Sequence, residues 1–262
     1  MYENLRIGII GYGQMGQAIA SGLLQSQTLA PTQLYACAKH YEKLNERIKN
    51  SGIHAVKDAK KLVSLCDWII LAVKPQQVPS VITQIKTELC GQVIVSIAAG
   101  IYFNDLEKLL PNHTAHISTI PNTPISVAKG ILICEEENSL NAEQLEIFEA
   151  LFGQIALIKW VASEQFSIAG TLCGCAPAFT AIYIEALADA AVQYGLKREE
   201  AYEMAAAMIV GTGTLYLKEK KHPGIMKDQV CSPGGTTIKG VNMLEKRNFR
   251  KAIIEAMEAI EG

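Results

Sequence analysis

The stretch that decides the fold lies at residues 5–16 and reads LRIGIIGYGQMG. Its first half, Leu5–Ile10, is apolar apart from Arg6 and has the length of a buried β-strand. The segment Gln14–Ser26 after the glycines has the composition of a helix. Between them, Gly11–Gly16 follow the pattern G-x-G-x-x-G. The order predicts a strand, a tight turn and a helix.

Each glycine of this turn has a physical task when a dinucleotide binds. The first allows the tight turn, the second lets a pyrophosphate approach the backbone, and the third lets the helix pack closely on the strand. The helix N-terminus adds free N–H groups and a positive dipole end. The pattern therefore predicts cofactor-binding residues at Ile10, Gly11, Gly13, Gln14, Met15 and Gly16. A glycine-rich turn in a flavodoxin-like fold is the alternative.

Further apolar runs alternate with helical segments up to residue 160. Leu34–Ala38 precedes the helical Tyr41–Asn50. Trp68–Val73 is continuously hydrophobic, and Val93–Ala98 is hydrophobic apart from Ser96. Strands that alternate with helices indicate an α/β fold with a parallel, doubly wound sheet of the Rossmann type. We expect this dinucleotide-binding domain to span residues 1–160.

The sequence pattern changes after residue 160, and the composition of residues 161–262 predicts an all-helical domain. Apolar residues recur at three-four spacing between Phe179 and Ala190, which marks one helical stripe. Lys197–Lys218 reads as a second long helix after the Gly195 stop, and it is apolar nearly all round. Such a helix needs burial on most sides. A partner subunit could supply that burial, so we expect a substrate and dimerisation domain.

The end of the second strand predicts the choice of cofactor. A carboxylate there would bind the ribose 2′-hydroxyl of NAD, but Tyr35–His40 contains none. Lys39 and His40 could instead meet a 2′-phosphate, so NADP is the expected cofactor, with NAD left open. Ligands bind outside the carboxyl ends of such strands. Ala72, Val73, Lys74 and Pro75 follow the fourth strand and are therefore expected to border the cofactor.

Two turn-rich segments complete the candidate site. Pro121–Pro124 is rigid and follows another strand. Cys231–Thr237 lies deep in the helical region, where Pro-Gly-Gly ends one helix and two threonines begin another. This arrangement offers free N–H groups and hydroxyls to an anion. Simple turn chemistry is the alternative for both segments.

Composition argues against several other classes of protein. The net charge is -2 and charged residues make up 19%, so neither nucleic acid nor an anionic membrane is an expected partner. No apolar run is expected to span a membrane. The 7 cysteines are scattered without metal-ligand spacing, so we expect no metal site. We expect no signal peptide in the short polar segment Met1–Arg6, and we expect the cysteines to be free thiols; both expectations indicate the cytoplasm.

Taken together, these motifs resemble the pyrroline-5-carboxylate reductase family. The features that match follow the family's order along essentially the whole chain: the glycine loop, AVKPQ at 72–76, AAG at 98–100, PNTP at 121–124, IEALADA at 184–190 and SPGGTTIKG at 232–240. The resemblance implies reduction of 1-pyrroline-5-carboxylate to proline, the last step of proline synthesis. It also implies a homodimer of interlocked helical domains, with larger assemblies up to a decamer of dimers left open.

The resemblance also implies roles for individual residues. Thr237 is the expected catalytic residue, because its hydroxyl can hydrogen-bond the ring nitrogen of the substrate. Substrate binding is expected from Asn122 and from the residues around Thr237, namely Ser232, Gly234, Gly235 and Thr236. Ala98 and Gly100 of the AAG segment are expected at the cofactor.

Some positions depart from the family's pattern. Ser118 stands where an arginine is usual, Cys173 and Cys175 replace two serines, and Lys220 replaces an acidic residue. These changes leave two alternatives open. One is a reductase of another cyclic imine or a hydroxy acid, and the other is a catalytically silent paralogue that binds NADP. A hydroxy-acid dehydrogenase would need a lysine from the helical domain next to the substrate carbonyl. Residues 166–178 contain no lysine, which argues against that alternative.

Overall fold

The computed structural model describes residues 4–262, which divide into two compact units, one ending at Gly174 and one comprising Cys175–Gly262. The first unit holds all the strands of the described chain, and the second is helical. The first unit includes the helix Ser163–Gly174, which the predicted boundary at residue 160 assigns to the helical domain. That boundary stays a prediction.

The strands of the first unit form one eight-stranded sheet in the order β3-β2-β1-β4-β5-β6-β7-β8. Their bounds are β1 Ile7–Ile10, β2 Leu34–Cys37, β3 His54–Val56, β4 Trp68–Leu71, β5 Val93–Ser96, β6 His116–Pro121, β7 Gly130–Asn138 and β8 Ala156–Val161. The reversal of strand order between β1 and β4 is the doubly wound arrangement that the sequence predicts.

One strand departs from the parallel arrangement of the rest of the sheet. β7 runs antiparallel to β6, although it is parallel to β8. The segment 122–129 between β6 and β7 is too short for the crossover that a parallel neighbour requires. The remaining neighbouring pairs are parallel.

Helices cover the sheet and form the second unit. Those of the first unit are α1 Gln14–Gln25, α2 Tyr41–Ile48, α3 Ala59–Val63, α4 Val78–Ile85, α5 Phe103–Leu109, α6 Ala142–Phe152 and α7 Ser163–Gly174. Those of the second are α8 Ala176–Gln193, α9 Arg198–Glu219, α10 Pro223–Gln229, α11 Thr236–Lys246 and α12 Phe249–Glu261. Short 3-10 helices occupy Pro31–Gln33, Pro75–Gln77 and Thr123–Val127.

The two faces of the sheet each bury a separate hydrophobic cluster. Along β4, Trp68 and Ile70 enter one cluster while Ile69 and Leu71 enter the other. A strand that is covered on both faces needs apolar residues at every position, which explains the continuous hydrophobic runs.

The apolar runs extend past the ends of the strands. The predicted run Trp68–Val73 contains a strand that ends at Leu71, and Val93–Ala98 contains one that ends at Ser96. Residues beyond these ends leave the ladder and form the loops at the carboxyl edge of the sheet. Hydrophobicity alone does not separate the two, because both parts are wholly or partly buried.

The helical unit leaves many large apolar side chains exposed. Ile182, Met204 and Val210 are 65%, 58% and 68% exposed. Monomeric soluble proteins rarely expose apolar surface in this density. The exposure agrees with the prediction that α9 lacks sufficient cover within its own chain.

One stretch corrects the expectation that no apolar run is long enough to cross a membrane. Ser163–Gln193 has 31 residues and a mean hydropathy of 1.5 in its most apolar window, which satisfies the length and composition of a membrane span. The stretch is divided at Cys175 between α7 and α8. Length and composition alone are weak grounds for a membrane location.

Candidate functional site

The glycine loop combines tight packing on one side with open space on the other. Gly11 has a φ of 97°, and a Cβ there would lie 2.4 Å from the carbonyl oxygen of Ala72. A Cβ on Gly16 would lie 2.4 Å from the Gly11 carbonyl oxygen. Gly13 differs, because a Cβ there would meet nothing within 4 Å. The loop therefore packs through its first and third glycines and opens at its second.

The start of α1 supplies hydrogen-bond donors at this opening. Gly13 is the N-cap of α1 and contributes no side-chain cap. The backbone N–H of Gln17 donates to the Gly13 carbonyl at 3.0 Å, so the preceding N–H groups have no helical acceptor. Those groups belong to Gln14, Met15 and Gly16. They can bind an anion that approaches over Gly13.

A groove of about 630 Å³ runs along the carboxyl ends of β1, β2 and β4. The predicted cofactor residues that line it are Ile10, Gly11, Gly13, Lys39, Ala72, Val73 and Lys74. They come from three strand ends that are distant in sequence, and the sheet order brings them together. The volume and position of the groove suit a dinucleotide at the point where the strand order reverses.

The other predicted cofactor residues lie outside the lining of this groove. Pro75 opens the 3-10 helix Pro75–Gln77. Ala98 follows β5, which pairs with β4, and its N–H donates to the Ser96 hydroxyl at 3.4 Å. Gly100 has a φ of 75°, a conformation that favours glycine. Ala98 and Gly100 thus continue the same edge of the sheet, one strand further along.

Sequence reasoning missed several charged residues of the groove. Lys43, Arg47 and Lys57 line it, together with the single acidic residue Asp58. Asp58 is engaged as the N-cap of α3, where its Oδ1 accepts from the Lys61 N–H at 2.9 Å. A signal was present in the sequence, because Lys43 and Arg47 stand at i, i+4 and therefore share one face of the helix after β2.

Two hydrogen bonds from its side-chain amide give Asn122 a structural role. Its Oδ1 accepts from the Ile131 N–H at 2.8 Å, and its Nδ2 donates to the Cys173 carbonyl at 3.1 Å. The side chain is 5% exposed. These bonds fix the corner between β6 and β7 to the end of α7. Direct substrate binding by Asn122 stays a prediction.

The second unit holds the other predicted substrate residues in one turn. Gly234 has a φ of 69°, and a Cβ on Gly235 would lie 2.4 Å from the Ser232 Oγ, so both positions favour glycine. Gly235 is the N-cap of α11 and offers no side-chain cap. Thr236 and Thr237 begin α11, as predicted, and both are exposed. The N-terminus of α11 thus presents free N–H groups and two hydroxyls.

Comparison with known proteins decides the family. Residues 163–261 match the family model described as pyrroline-5-carboxylate reductase dimerisation, and residues 6–100 match one described as NADP oxidoreductase coenzyme F420-dependent. The Pyrroline-5-carboxylate reductase of Treponema pallidum is 41% identical over 97% of this chain and 98% of its own. That of Escherichia coli K12 is 37% identical over 96% and 94%. The chain belongs to the pyrroline-5-carboxylate reductase family.

A solved structure of the same family shares the fold. Plasmodium falciparum pyrroline carboxylate reductase with NADP bound superposes with a TM-score of 0.89 at 29% identity, covering 98% of this chain and 96% of that one. This family member therefore has the α/β domain and the helical dimerisation domain that the sequence predicts.

Positions at which this family member departs from the expected pattern have distinct surroundings. Ser118 is buried on β6, and its hydroxyl has no hydrogen-bond partner among residues 4–262. Cys175 is the N-cap of α8. Lys220 ends α9 with a φ of 53°, and its Nζ lies 5.5 Å from the centre of the Tyr216 ring. None of the three lines the groove.

Burial keeps several thiols of this family member protonated. It raises the pKa of Cys37 to about 11 and that of Cys66 to about 12, with Asp58 and Asp67 adding to the respective shifts. Burial raises the pKa of Cys134 further. These cysteines behave as small apolar core residues. Within residues 4–262 no three His, Cys, Asp or Glu side chains come together as metal ligands.

Proposed function

We propose that this protein reduces 1-pyrroline-5-carboxylate to proline with NADPH. The observation that carries the proposal is similarity to reductases of that name over nearly the whole of both chains. The reaction adds a hydride to the imine carbon and a proton to the imine nitrogen. NADPH supplies the hydride when it is bound, and solvent supplies the proton. The protein has mainly to position the two reactants.

The geometry of the glycine loop fits the proposed cofactor. The open space over Gly13 and the free N–H groups of Gln14, Met15 and Gly16 suit a pyrophosphate. The residues Ile10, Gly11, Lys39, Ala72, Val73, Lys74, Pro75, Ala98 and Gly100 belong to the same proposed cofactor site.

The carboxyl end of β2 favours NADP over NAD. Lys39 lines the groove there, and no carboxylate follows the strand directly. A solved relative with this fold holds NADP. NAD use stays open, to be measured as a ratio of rates.

The turn before α11 fits an imine substrate that carries a carboxylate. The free N–H groups at Gly235–Thr237 can hold the carboxylate, with Ser232, Gly234 and Thr236 shaping the turn. The Thr237 hydroxyl can hydrogen-bond the ring nitrogen and orient the imine for attack. No general base is needed, since the imine nitrogen gains a proton and loses none. Asn122, whose side-chain amide holds the corner after β6, is also proposed as a substrate-binding residue.

We further propose a homodimer formed through residues 163–261, in which a second copy covers the apolar helices. The exposed side chains of α8 and α9 need such cover. The match of residues 163–261 to a dimerisation model favours a second copy over a membrane or nucleic acid as that cover. A decamer of dimers is a larger assembly that the same chain could form. We place the enzyme in the cytoplasm, because its cysteines are free thiols.

The decisive experiment mixes the purified protein with NADPH and pyrroline-5-carboxylate and follows the nicotinamide absorbance at 340 nm. Oxidation of NADPH together with formation of proline supports the proposal. Turnover of a different cyclic imine without turnover of this one would show that the proposed substrate is wrong. NADPH binding without turnover of any imine would indicate a silent paralogue.

Thr237→Ala tests the role of the turn before α11. We expect kcat to fall by roughly 10-fold or more, since a hydrogen bond to the reacting system is worth about 1.5–3 kcal/mol when charge is involved. The affinity for NADPH should stay within about 2-fold. Thr83→Ala on the exposed face of α4 is the matched control and should leave both quantities unchanged. Loss of NADPH binding with turnover preserved would refute the assignment.

A further inference from the structure

The groove concentrates positive charge in a chain that is acidic overall. Its lining contains five cationic side chains and a single carboxylate, so the groove has a net charge of +4 in a chain of net charge -2. The cations are Lys39, Lys43, Arg47, Lys57 and Lys74. Clefts lined by one sign of charge attract ligands of the opposite sign. The charge exceeds what a pyrophosphate bound over a glycine loop requires, because that site is built from backbone N–H groups.

Two of these cations project from one face of α2. Lys43 and Arg47 stand at i, i+4, while Leu44 and Ile48 of the same helix are buried in the core. Like charges at this spacing destabilise a helix by a few tenths of a kcal/mol. Neither side chain makes an ion pair in the part of the chain that the structure describes. Among residues 4–262, no carboxylate therefore offsets the repulsion between these two cations through an ion pair.

The position of Arg47 is fixed against the glycine loop. Its Nη1 donates to the carbonyl of Tyr12, between Gly11 and Gly13, at 3.3 Å. This bond uses one of the five guanidinium N–H groups. Arg47 therefore bridges the loop of the first strand and the helix after the second, and its other donors remain for a ligand.

We propose that Arg47, assisted by Lys43, selects NADP by binding the 2′-phosphate of the adenosine ribose. The inference rests on the proposed placement of NADP in this groove. The carboxyl end of β2 is where the adenosine ribose of a dinucleotide lies, and α2 begins directly beyond it. The 2′-phosphate carries close to two negative charges at neutral pH. A planar guanidinium can bind it through two parallel hydrogen bonds, which a lysine such as Lys39 cannot do.

The test compares two nucleotides that differ only in the 2′-phosphate. The affinities of the full-length protein for 2′,5′-ADP and for 5′-AMP are measured by calorimetry, in the parent and in Arg47→Gln. We expect the Kd for 2′,5′-ADP to rise roughly 10- to 100-fold and that for 5′-AMP to change less than about 2-fold. The ratio of kcat/KM for NADPH to that for NADH should fall by a similar factor.

Further variants separate charge from geometry. Arg47→Lys should recover part of the lost affinity, and Lys43→Gln should weaken 2′,5′-ADP in the same direction with a smaller effect. Lys49→Gln is the matched control, because Lys49 is an exposed cation at the end of the same helix that does not line the groove. It should leave both affinities unchanged.

Two results would overturn the inference. Equal loss of both nucleotides in Arg47→Gln would mean that Arg47 only supports the glycine loop through the Tyr12 carbonyl. Unchanged discrimination in the double variant of Arg47 and Lys43 would place the 2′-phosphate elsewhere. If the parent binds neither nucleotide, the proposed cofactor site is wrong and the inference is wrong with it. If the parent binds 2′,5′-ADP more tightly than 5′-AMP, the proposed cofactor site is supported whatever the variants show.

Discussion

Replacing Gly13 with alanine should separate cofactor binding from folding. Gly13 is the one glycine of the G-x-G-x-x-G turn at which a Cβ would meet nothing within 4 Å. Its φ of -77° is one that alanine adopts without strain. The added methyl group would occupy the space through which a pyrophosphate has to approach the backbone.

Two opposing effects keep the expected change in stability small. Alanine restricts the unfolded chain and stabilises the protein by about 0.4–1 kcal/mol at a compatible position. Alanine is also a poorer N-cap than glycine, which costs a similar amount. The free energy of unfolding should therefore change by less than about 1 kcal/mol, which corresponds to a Tm shift within about 4 °C for a chain of this size.

The expected effect on the cofactor is much larger. Moving the pyrophosphate away from the start of α1 removes at least one hydrogen bond to a charged group, worth about 1.5–3 kcal/mol. The Kd for NADPH should then rise roughly 10- to 100-fold. Titration of NADPH with fluorescence detection gives the Kd, and a thermal melt without ligand gives the Tm.

Gly11→Ala is the contrasting variant. Its φ of 97° and the 2.4 Å approach to the Ala72 carbonyl oxygen should cost roughly 3 kcal/mol or more, so this variant loses stability before any ligand is added. If Gly13→Ala binds NADPH as tightly as the parent does, the pyrophosphate does not lie over this turn. If the Tm of Gly13→Ala instead falls as far as that of Gly11→Ala, the conclusion that Gly13 has room for a Cβ is wrong.

Other perturbations address the frame around the site. Glu135 accepts from the Phe103 N–H at 2.7 Å and from the Ser163 hydroxyl at 2.6 Å, so Glu135→Ala should lower the free energy of unfolding by about 1–3 kcal/mol in urea titrations, and Glu135→Gln by less. Asn122→Ala should cost about 2 kcal/mol because it breaks two part-buried bonds, whereas an unchanged urea midpoint would show that the corner is held by other contacts. The raised pKa of Cys66, about 12, favours the protonated thiol in the folded state, so the contribution of this thiol to stability is complete below pH 9 and is lost as the pH rises toward 12. The free energy of unfolding should therefore decline less steeply between about pH 8 and pH 11 in Cys66→Ala than in the parent.

The sequence by itself determined the fold class and the position of the proposed cofactor turn. The G-x-G-x-x-G pattern, placed between an apolar run and a helical segment, predicts the turn between them, because a backbone such as that of Gly11, with a φ of 97°, favours glycine. The continuous apolar runs predict strands that are covered on both faces. Strand and helix types followed from such local patterns, and strand ends did not, since the loop residues that line the groove are apolar too.

Only the tertiary structure decided which charges face the groove. Lys43 and Arg47 read as two cations on a polar helix until the order of β1, β2 and β4 places that helix beside the glycine loop. The antiparallel direction of β7 likewise became visible only in the sheet, where β7 pairs with β6 on one side and with β8 on the other. Asn122 has its partners at Ile131 and Cys173, 9 and 51 residues away, and no local pattern encodes contacts at such separations. Helical periodicity and strand alternation describe one element at a time, whereas a binding groove is made where several elements end together.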